Sequence, residues 1–230
     1  MSEEVWERIW NTSLVTSDYS LKYLEFMETV QKTLRDNATV LEAGCGTGQT
    51  LSLFCSRHTA IGLDISRNAI SIAKKNSTSV IQGDIFCIPL KNQSCDLVYN
   101  SGVIEHFKEP RNRDAVSEME RVTKKGGLVV IIVPNSLCPW YRCGKSVAVL
   151  LKNFEFGYEE DYSIQRLIKT VESCNLSIVS AFGLQALPPF ATHSKEFLPP
   201  ILRRRFGRIE DYFPKKQYYA YAVGIVAKKA

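Results

Sequence analysis

The sequence predicts an α/β domain built on a doubly wound sheet of seven strands, mostly parallel with an antiparallel last strand, and three observations carry that expectation. Val40 to Thr50, VLEAGCGTGQT, passes from a run of β-formers that begins at Thr39 into Gly44, Gly46 and Gly48, and then into a short amphipathic helical pattern over Gln49 to Arg57. The glycines remove side chains where the chain must turn, and strand, glycine turn, helix is the opening unit of a doubly wound sheet. Short apolar strands then alternate with helical patterns as far as Val133, as parallel strands joined by crossovers require. A last strand, Gln217 to Ala227, follows the sixth with no crossover-helix pattern between them, which predicts antiparallel placement beside it.

Each element has its own signal. Met1 to Asp36 is mostly helical in pattern, with Leu21, Leu24, Met27, Val30, Gln31 and Leu34 near three- and four-residue spacing and Ser17 or Asp18 as cap. Thr59 to Ile65 is the second strand and ends in Asp64, about twenty residues beyond Gly44. A carboxylate there can accept from both ribose hydroxyls of a nucleoside, or Asp64 or Ser66 can cap the helix Arg67 to Lys75. Thr78 to Gln82 is the third strand, followed by Gly83-Asp84-Ile85, and Cys95 to Tyr99 is the fourth, leading into Asn100 to Phe107. Arg113 to Lys124 reads as a helix closed by Gly126-Gly127 before a fifth strand, Leu128 to Val133. Ile164, Leu167, Ile168 and Val171 mark a helix within Glu159 to Ser173, and Asn175 to Phe182 is the sixth strand. An insertion of roughly thirty residues, carrying Pro188-Pro189, Pro199-Pro200 and an arginine cluster, separates the last two strands. The whole is expected to form one domain: a helical cap over 1–38, a cofactor-binding core over 39–134, and substrate-side insertions with the last strands over 135–230.

The residues of the first turn do not indicate a phosphate ligand. A dinucleotide fingerprint needs glycine at position 49, where the chain has Gln49, and a phosphate loop needs Lys-Ser or Lys-Thr after its last glycine. Instead Glu42 stands just before the first glycine, and E-x-G-C-G-T-G resembles the first motif of class I S-adenosylmethionine-dependent methyltransferases. That resemblance implies a Rossmann-like fold and a cofactor with a cationic ammonium and sulfonium, which an acid beside the turn suits. It puts Glu42, Gly44 and Gly46 at the methionine end and Asp64 at the ribose. Gly83-Asp84-Ile85 resembles the family's adenine clamp, with Asp84 accepting from the exocyclic amine, the Ile85 amide donating to the ring, and Ile65 and Ile85 as apolar walls. Asp96-Leu97-Val98, a polar turn from Asn100, and Ile104-Glu105-His106 resemble the motif after the fourth strand in small-molecule methyltransferases of the ubiquinone-biosynthesis type. This implies Asn100 at the cofactor and the following loop beside the transferred methyl group.

Methyl transfer needs in-line geometry above all, and holding two reactants together supplies on the order of 7 to 11 kcal/mol. An oxygen acceptor needs a base where an amine need only arrive unprotonated. His106 is the candidate base, with an orienting donor or a helix-start residue as its alternative roles, and Glu105 is in reserve. Trp6, Trp10 and Tyr19 either meet the sulfonium through their ring faces or pack the cap onto the sheet. Aromatic segments at Trp6 to Tyr19, Pro139 to Tyr158 and Ala186 to Phe213 suit a flat or apolar small-molecule substrate.

Composition bounds the remaining classes. Hydrophobic residues make up 45% and charged residues 23%, ordinary for a globular domain. No apolar run reaches the roughly 18 to 20 residues of a membrane span. The start, with Glu3, Glu4 and Glu7, does not resemble a secretory leader, so a cytoplasmic protein is expected. Seven scattered cysteines read as reduced thiols, and neither they nor His58, His106 and His193 show metal-site spacing. The net charge is +5, and nine Lys or Arg against three acids from Lys195 onward account for it. Arg203, Arg204, Arg205 and Arg208 form either a solvated face or a surface for RNA or anionic lipid. A protein that binds the cofactor without turnover, an RNA or protein methyltransferase, and an NAD-linked oxidoreductase stand as the alternatives.

Overall fold

The computed structural model describes residues 6–7, 18–77, 79–152, 157–189 and 209–230. Seven strands form one sheet: β1 (Thr39–Ala43), β2 (Thr59–Asp64), β3 (Ser79–Gln82), β4 (Cys95–Ser101), β5 (Thr123–Pro134), β6 (Leu176–Leu184) and β7 (Ala222–Lys229). Their order is β3-β2-β1-β4-β5-β7-β6. The first five run parallel, and β7 lies antiparallel between β5 and β6. The strand order turns back between β1 and β4, and that switch point leaves a crevice outside the carboxyl ends of the strands.

Among the described residues there are six helices, and five of them cover the two faces. On one face α1 (Asp18–Gln31), α2 (Leu51–Phe54) and α3 (Arg67–Ala73) bury Met27, Val30, Leu51, Phe54 and Ile70 against Val40, Leu97, Val130 and Ile132. On the other, α4 (Arg111–Val122) and α6 (Ile164–Glu172) bury Val116, Met119, Leu167 and Val171 against Leu41, Val98, Val129 and Ile131. α5 (Pro139–Leu150) carries no fully buried residue. Alternation along each strand decides which face a side chain serves, so neighbours such as Val98 and Tyr99 join different cores.

Three boundaries differ from the sequence expectation. The first crossover helix is one turn, Leu51–Phe54, because its glycine-rich start is spent on turning: Gly44 and Gly48 have φ of +80° and +70°. Helix α4 ends at Val122, before Gly126-Gly127. The Thr123 hydroxyl donates to the Met119 carbonyl, Lys124 Nζ reaches Asp96 at 2.7 Å, and the chain pairs with β4 from Thr123 onward. The two glycines thus lie inside β5, and a Cβ on Gly127 would come within 2.9 Å of the Lys124 carbonyl. The aromatic stretch Gln217 to Tyr221 precedes β7, with a 3-10 turn at Lys216–Tyr218. The predicted cap Ser17, Trp10, Thr78 and the arginine cluster at 203–208 lie outside the described residues.

Candidate functional site

The carboxyl ends of all five parallel strands open on a single cavity of about 480 Å³, within the range of small-molecule sites. It is lined by Gly44 and Gly46 after β1, Asp64 of β2, Asp84 after β3, Ser101 of β4 and Pro134 of β5.

The β1 turn closes through its backbone: the Gly44 and Cys45 amides donate to the Leu63 carbonyl at 2.7 and 2.9 Å. A Cβ on Gly44 would stand 2.5 Å from Val103 Cγ2, so φ and space both demand glycine there. Asp64 holds this turn from the next strand. Its Oδ2 accepts from the Gly46 amide at 2.8 Å and its Oδ1 from the Ser66 amide at 2.9 Å. Each oxygen keeps a second lone pair for a ligand hydroxyl. Burial pushes the carboxyl up, and the backbone donors oppose that. Helix α3 is capped by Ser66, whose hydroxyl accepts from the Ala69 amide. Glu7 reaches the same helix start and accepts from the Arg67 and Asn68 amides, which ties Trp6 to the cavity mouth.

Glu42 is also buried. β1 points it to the α1 face, where the Thr50 hydroxyl donates at 2.5 Å and the Tyr99 hydroxyl at 3.1 Å, with Tyr23 close by. Burial pushes it up to about 8, and the hydroxyl donors pull the other way. Asp84 is exposed, and its Oδ1 accepts from the Phe86 amide at 3.0 Å in a local turn. Ile65 and Ile85 line the cavity beside it, and Arg111 lies over the Phe86 ring at 3.8 Å.

The opposite wall comes from distant segments. After β4 a 3-10 turn at Ile104–His106 brings Glu105 and His106 to the cavity, both buried. The His106 ring donates from Nδ1 to the Tyr158 carbonyl at 2.9 Å and meets the Trp6 ring edge-on at 5.0 Å. Burial lowers its pKa, so at neutral pH it is uncharged and its Nε2 keeps a lone pair. Glu105 is 1% exposed; its Oε2 has no hydrogen-bond partner among the described residues, and burial pushes the group up to about 8. Tyr221 packs against Tyr19, Tyr141 and Trp140 at 5.0 to 5.3 Å between ring centroids. Glu159 sits at this end, bonded to the Tyr141 hydroxyl and to Lys145, each at 2.7 Å.

Of the residues singled out from the sequence, Glu42, Gly44, Gly46, Asp64, Ile65, Asp84, Ile85, Glu105 and His106 all line this cavity. Asn100 does not. It is fully buried on the α4 side of β4, where its Nδ2 approaches Met119 Sδ at 3.4 Å, because alternation along β4 sends Tyr99 and Ser101 to the other side. Tyr23, Thr50, Tyr221 and Glu159 went unread as site residues. Thr50 stands eight residues after Glu42, at the N-cap of the helix that the turn launches, which was the one available signal. Among the described residues no group of His, Cys, Asp or Glu has metal-site geometry and no helix is long and apolar enough to cross a membrane.

A doubly wound sheet with a cavity at its switch point, a glycine turn and acids at successive strand ends defines an α/β protein of the kind that takes nucleosides there. Residues 41–131 match the family model described as a methyltransferase domain, and this stretch has the make-up of a class I S-adenosylmethionine-dependent methyltransferase core, whose cofactor is S-adenosyl-L-methionine. An uncharacterized protein of Methanocaldococcus jannaschii is 35% identical over 121 residues, which cover 51% of this chain and 46% of that protein. A tRNA (carboxymethyluridine(34)-5-O)-methyltransferase of Arabidopsis thaliana is 34% identical over 113 residues, 49% of this chain and 27% of the relative. The chain thus spans less than half the length of either. In fold it resembles a SAM-dependent methyltransferase from Archaeoglobus fulgidus, with a TM-score of 0.64 at 18% identity over 90% of this chain and 94% of the other.

Proposed function

We propose that the protein transfers the methyl group of S-adenosylmethionine to a small-molecule acceptor by in-line displacement. The observation that carries this is the convergence of Glu42, Asp64 and Asp84 on one cavity beside a glycine turn closed through its own backbone. The bound cofactor supplies an electrophilic methyl group on a cationic sulfur. Glu42 would hold its ammonium in this reading; burial first, and the nearby Asp64 charge with it, keep that carboxyl up, and a neighbouring cation favours its ionised form. Asp64 offers its spare lone pairs to the ribose hydroxyls while it holds Gly46 in place. Asp84 and the Ile85 amide take the adenine edge, between Ile65 and Ile85. His106, fixed by its bond to the Tyr158 carbonyl, accepts a hydrogen from the acceptor through Nε2.

The aromatic wall around Tyr221 favours a small acceptor, and the seven free thiols suit a reducing, cytoplasmic setting. A second reading, transfer to RNA, draws on the arginines at 203–208 and on the likeness to a methyltransferase named for tRNA.

Calorimetric titration with S-adenosylmethionine and with NAD, side by side, tests the core of the proposal. Saturable binding of the first and none of the second is expected; the reverse overturns it. Transfer of a labelled methyl group from the cofactor to an acceptor panel then separates an enzyme from a binding protein. Steep salt dependence of RNA binding, relieved by replacing Arg203 to Arg205, would favour the second reading.

A further inference from the structure

The acceptor wall contains a group the proposed mechanism leaves without a task. Glu105 is buried, lines the cavity, and holds Oε2 with no donor among the described residues. An unpaired buried carboxylate is unfavourable, and such groups persist where a ligand completes them. The charges that face it are few. Glu159 is matched by Lys145, and Tyr141 also donates to it, so this second acid is already satisfied. His106 is neutral, with Nε2 3.9 Å from Glu105 Oε1. Tyr19, Tyr141 and Tyr221 stay protonated because burial raises all three. The opening next to Glu105 is therefore walled by aromatic rings and carries one uncompensated acid. Rings and a lone carboxylate together favour an organic cation.

We infer that the acceptor is an amine, bound as its ammonium ion against Glu105 and methylated on nitrogen. This rests on the methyltransferase reading above. The arriving ammonium displaces to water the proton that burial keeps on Glu105 in the empty site, and within the resulting pair it gives one proton back to the carboxylate, which turns a buried ion pair into a neutral pair. A carboxyl that burial raises to about 8 is a fitting recipient. The freed nitrogen lone pair forms the N–C bond as the C–S bond breaks, with that electron pair left on sulfur. The products are S-adenosylhomocysteine and a methylated ammonium, and Glu105 later releases its proton to water. His106 accepts a hydrogen bond from the amine and orients the lone pair.

Phenethylamine and 2-phenylethanol are matched probes, since both fit an aromatic cavity and they differ in ammonium against hydroxyl. The protein is first titrated with S-adenosylhomocysteine, and the loaded protein then with each probe at pH 7. The amine is expected to bind at least about tenfold more tightly, as a charge-assisted hydrogen bond predicts. Glu105→Gln should bring the two probes within about twofold of each other without changing the affinity for S-adenosylhomocysteine, and Glu105→Asp should restore part of the preference. Equal affinity of the two probes for the unaltered protein overturns the inference, with no variant required. So does a preference that survives Glu105→Gln. If Glu105→Gln instead weakens S-adenosylmethionine relative to S-adenosylhomocysteine and no amine preference exists, the carboxylate answers the sulfonium and the inference also falls. Failure of the unaltered protein to bind S-adenosylhomocysteine in the first titration would sink the methyltransferase reading itself, a separate outcome.

Discussion

The two walls of the cavity are built on opposite principles. On the wall formed by β1 and β2 the acids are satisfied before any ligand arrives: Asp64 takes two backbone amides and Glu42 two hydroxyls. On the facing wall Glu105 has an oxygen with no partner among the described residues, and the rest of that wall comes from the chain at 6, 19, 141, 159 and 221. The first wall is a preformed socket whose shape its own hydrogen bonds maintain. The second stores an unmet electrostatic demand, so it selects by charge and is stabilised when occupied. A stability measurement and a binding measurement should therefore respond in opposite ways to changes on the two walls.

The largest expected effect is on cofactor binding. Asp64→Ala removes the acceptor that holds Gly46 and, in the proposed reading, takes the ribose hydroxyls, and two hydrogen bonds to a charged group predict a loss on the order of 100-fold in S-adenosylmethionine affinity. Glu105→Gln, on the other wall, should leave that affinity within about twofold. Equal losses in the two variants, read by calorimetry, would erase the contrast.

A smaller effect should differ in sign. Glu105→Gln relieves an unpaired buried carboxylate, so the empty protein should gain about 1 to 2 kcal/mol at pH 8, seen as a higher melting temperature. Tyr99→Phe strips a donor from Glu42 and should lower stability by about 1 kcal/mol. If both changes destabilise, Glu105 is not the strained group argued for above.

The smallest effect is a pH slope. Burial raises Glu42 and Glu105 from the ordinary 4.5 to about 8, so between those values the folded protein holds protons that the unfolded chain has lost. Their contribution to stability is complete below the unfolded value and is lost as pH rises through the folded one. The empty protein should melt earlier at pH 8 than at pH 6.5, by on the order of 1 kcal/mol per pH unit, and Glu105→Gln should flatten the slope. His106 does not enter this window, since its shift is downward from 6.5. A melting temperature that climbs between pH 6.5 and 8 would contradict the assignment of both carboxyls.

Legibility in the sequence follows the same division between the walls. Gly44, Glu42 and Asp64 could be read because a turn that needs left-handed φ, and acids at strand ends, are set by a few consecutive residues. Asn100 was misplaced by a local cause: the motif gives the loop after β4, but the pleat decides which of two adjacent residues faces the cavity. The end of α4 was read two residues too late, because a threonine back-bond and a lysine reaching Asp96 stop the helix before its glycines do. Tyr221 and Glu159 carried no usable signal, since they meet Tyr19 and Lys145 only once the sheet and α5 are assembled.

The sequence by itself therefore determined the sheet's class, the glycine turn and the acids beside it, because backbone conformation and strand-end chemistry are local properties. Only the tertiary structure decided that Glu105 Oε2 has no hydrogen-bond partner among the described residues, that His106 is buried and uncharged, and that rings from both ends of the chain face them. Burial and the absence of a counter-charge depend on everything that packs nearby, and no short stretch of residues encodes them.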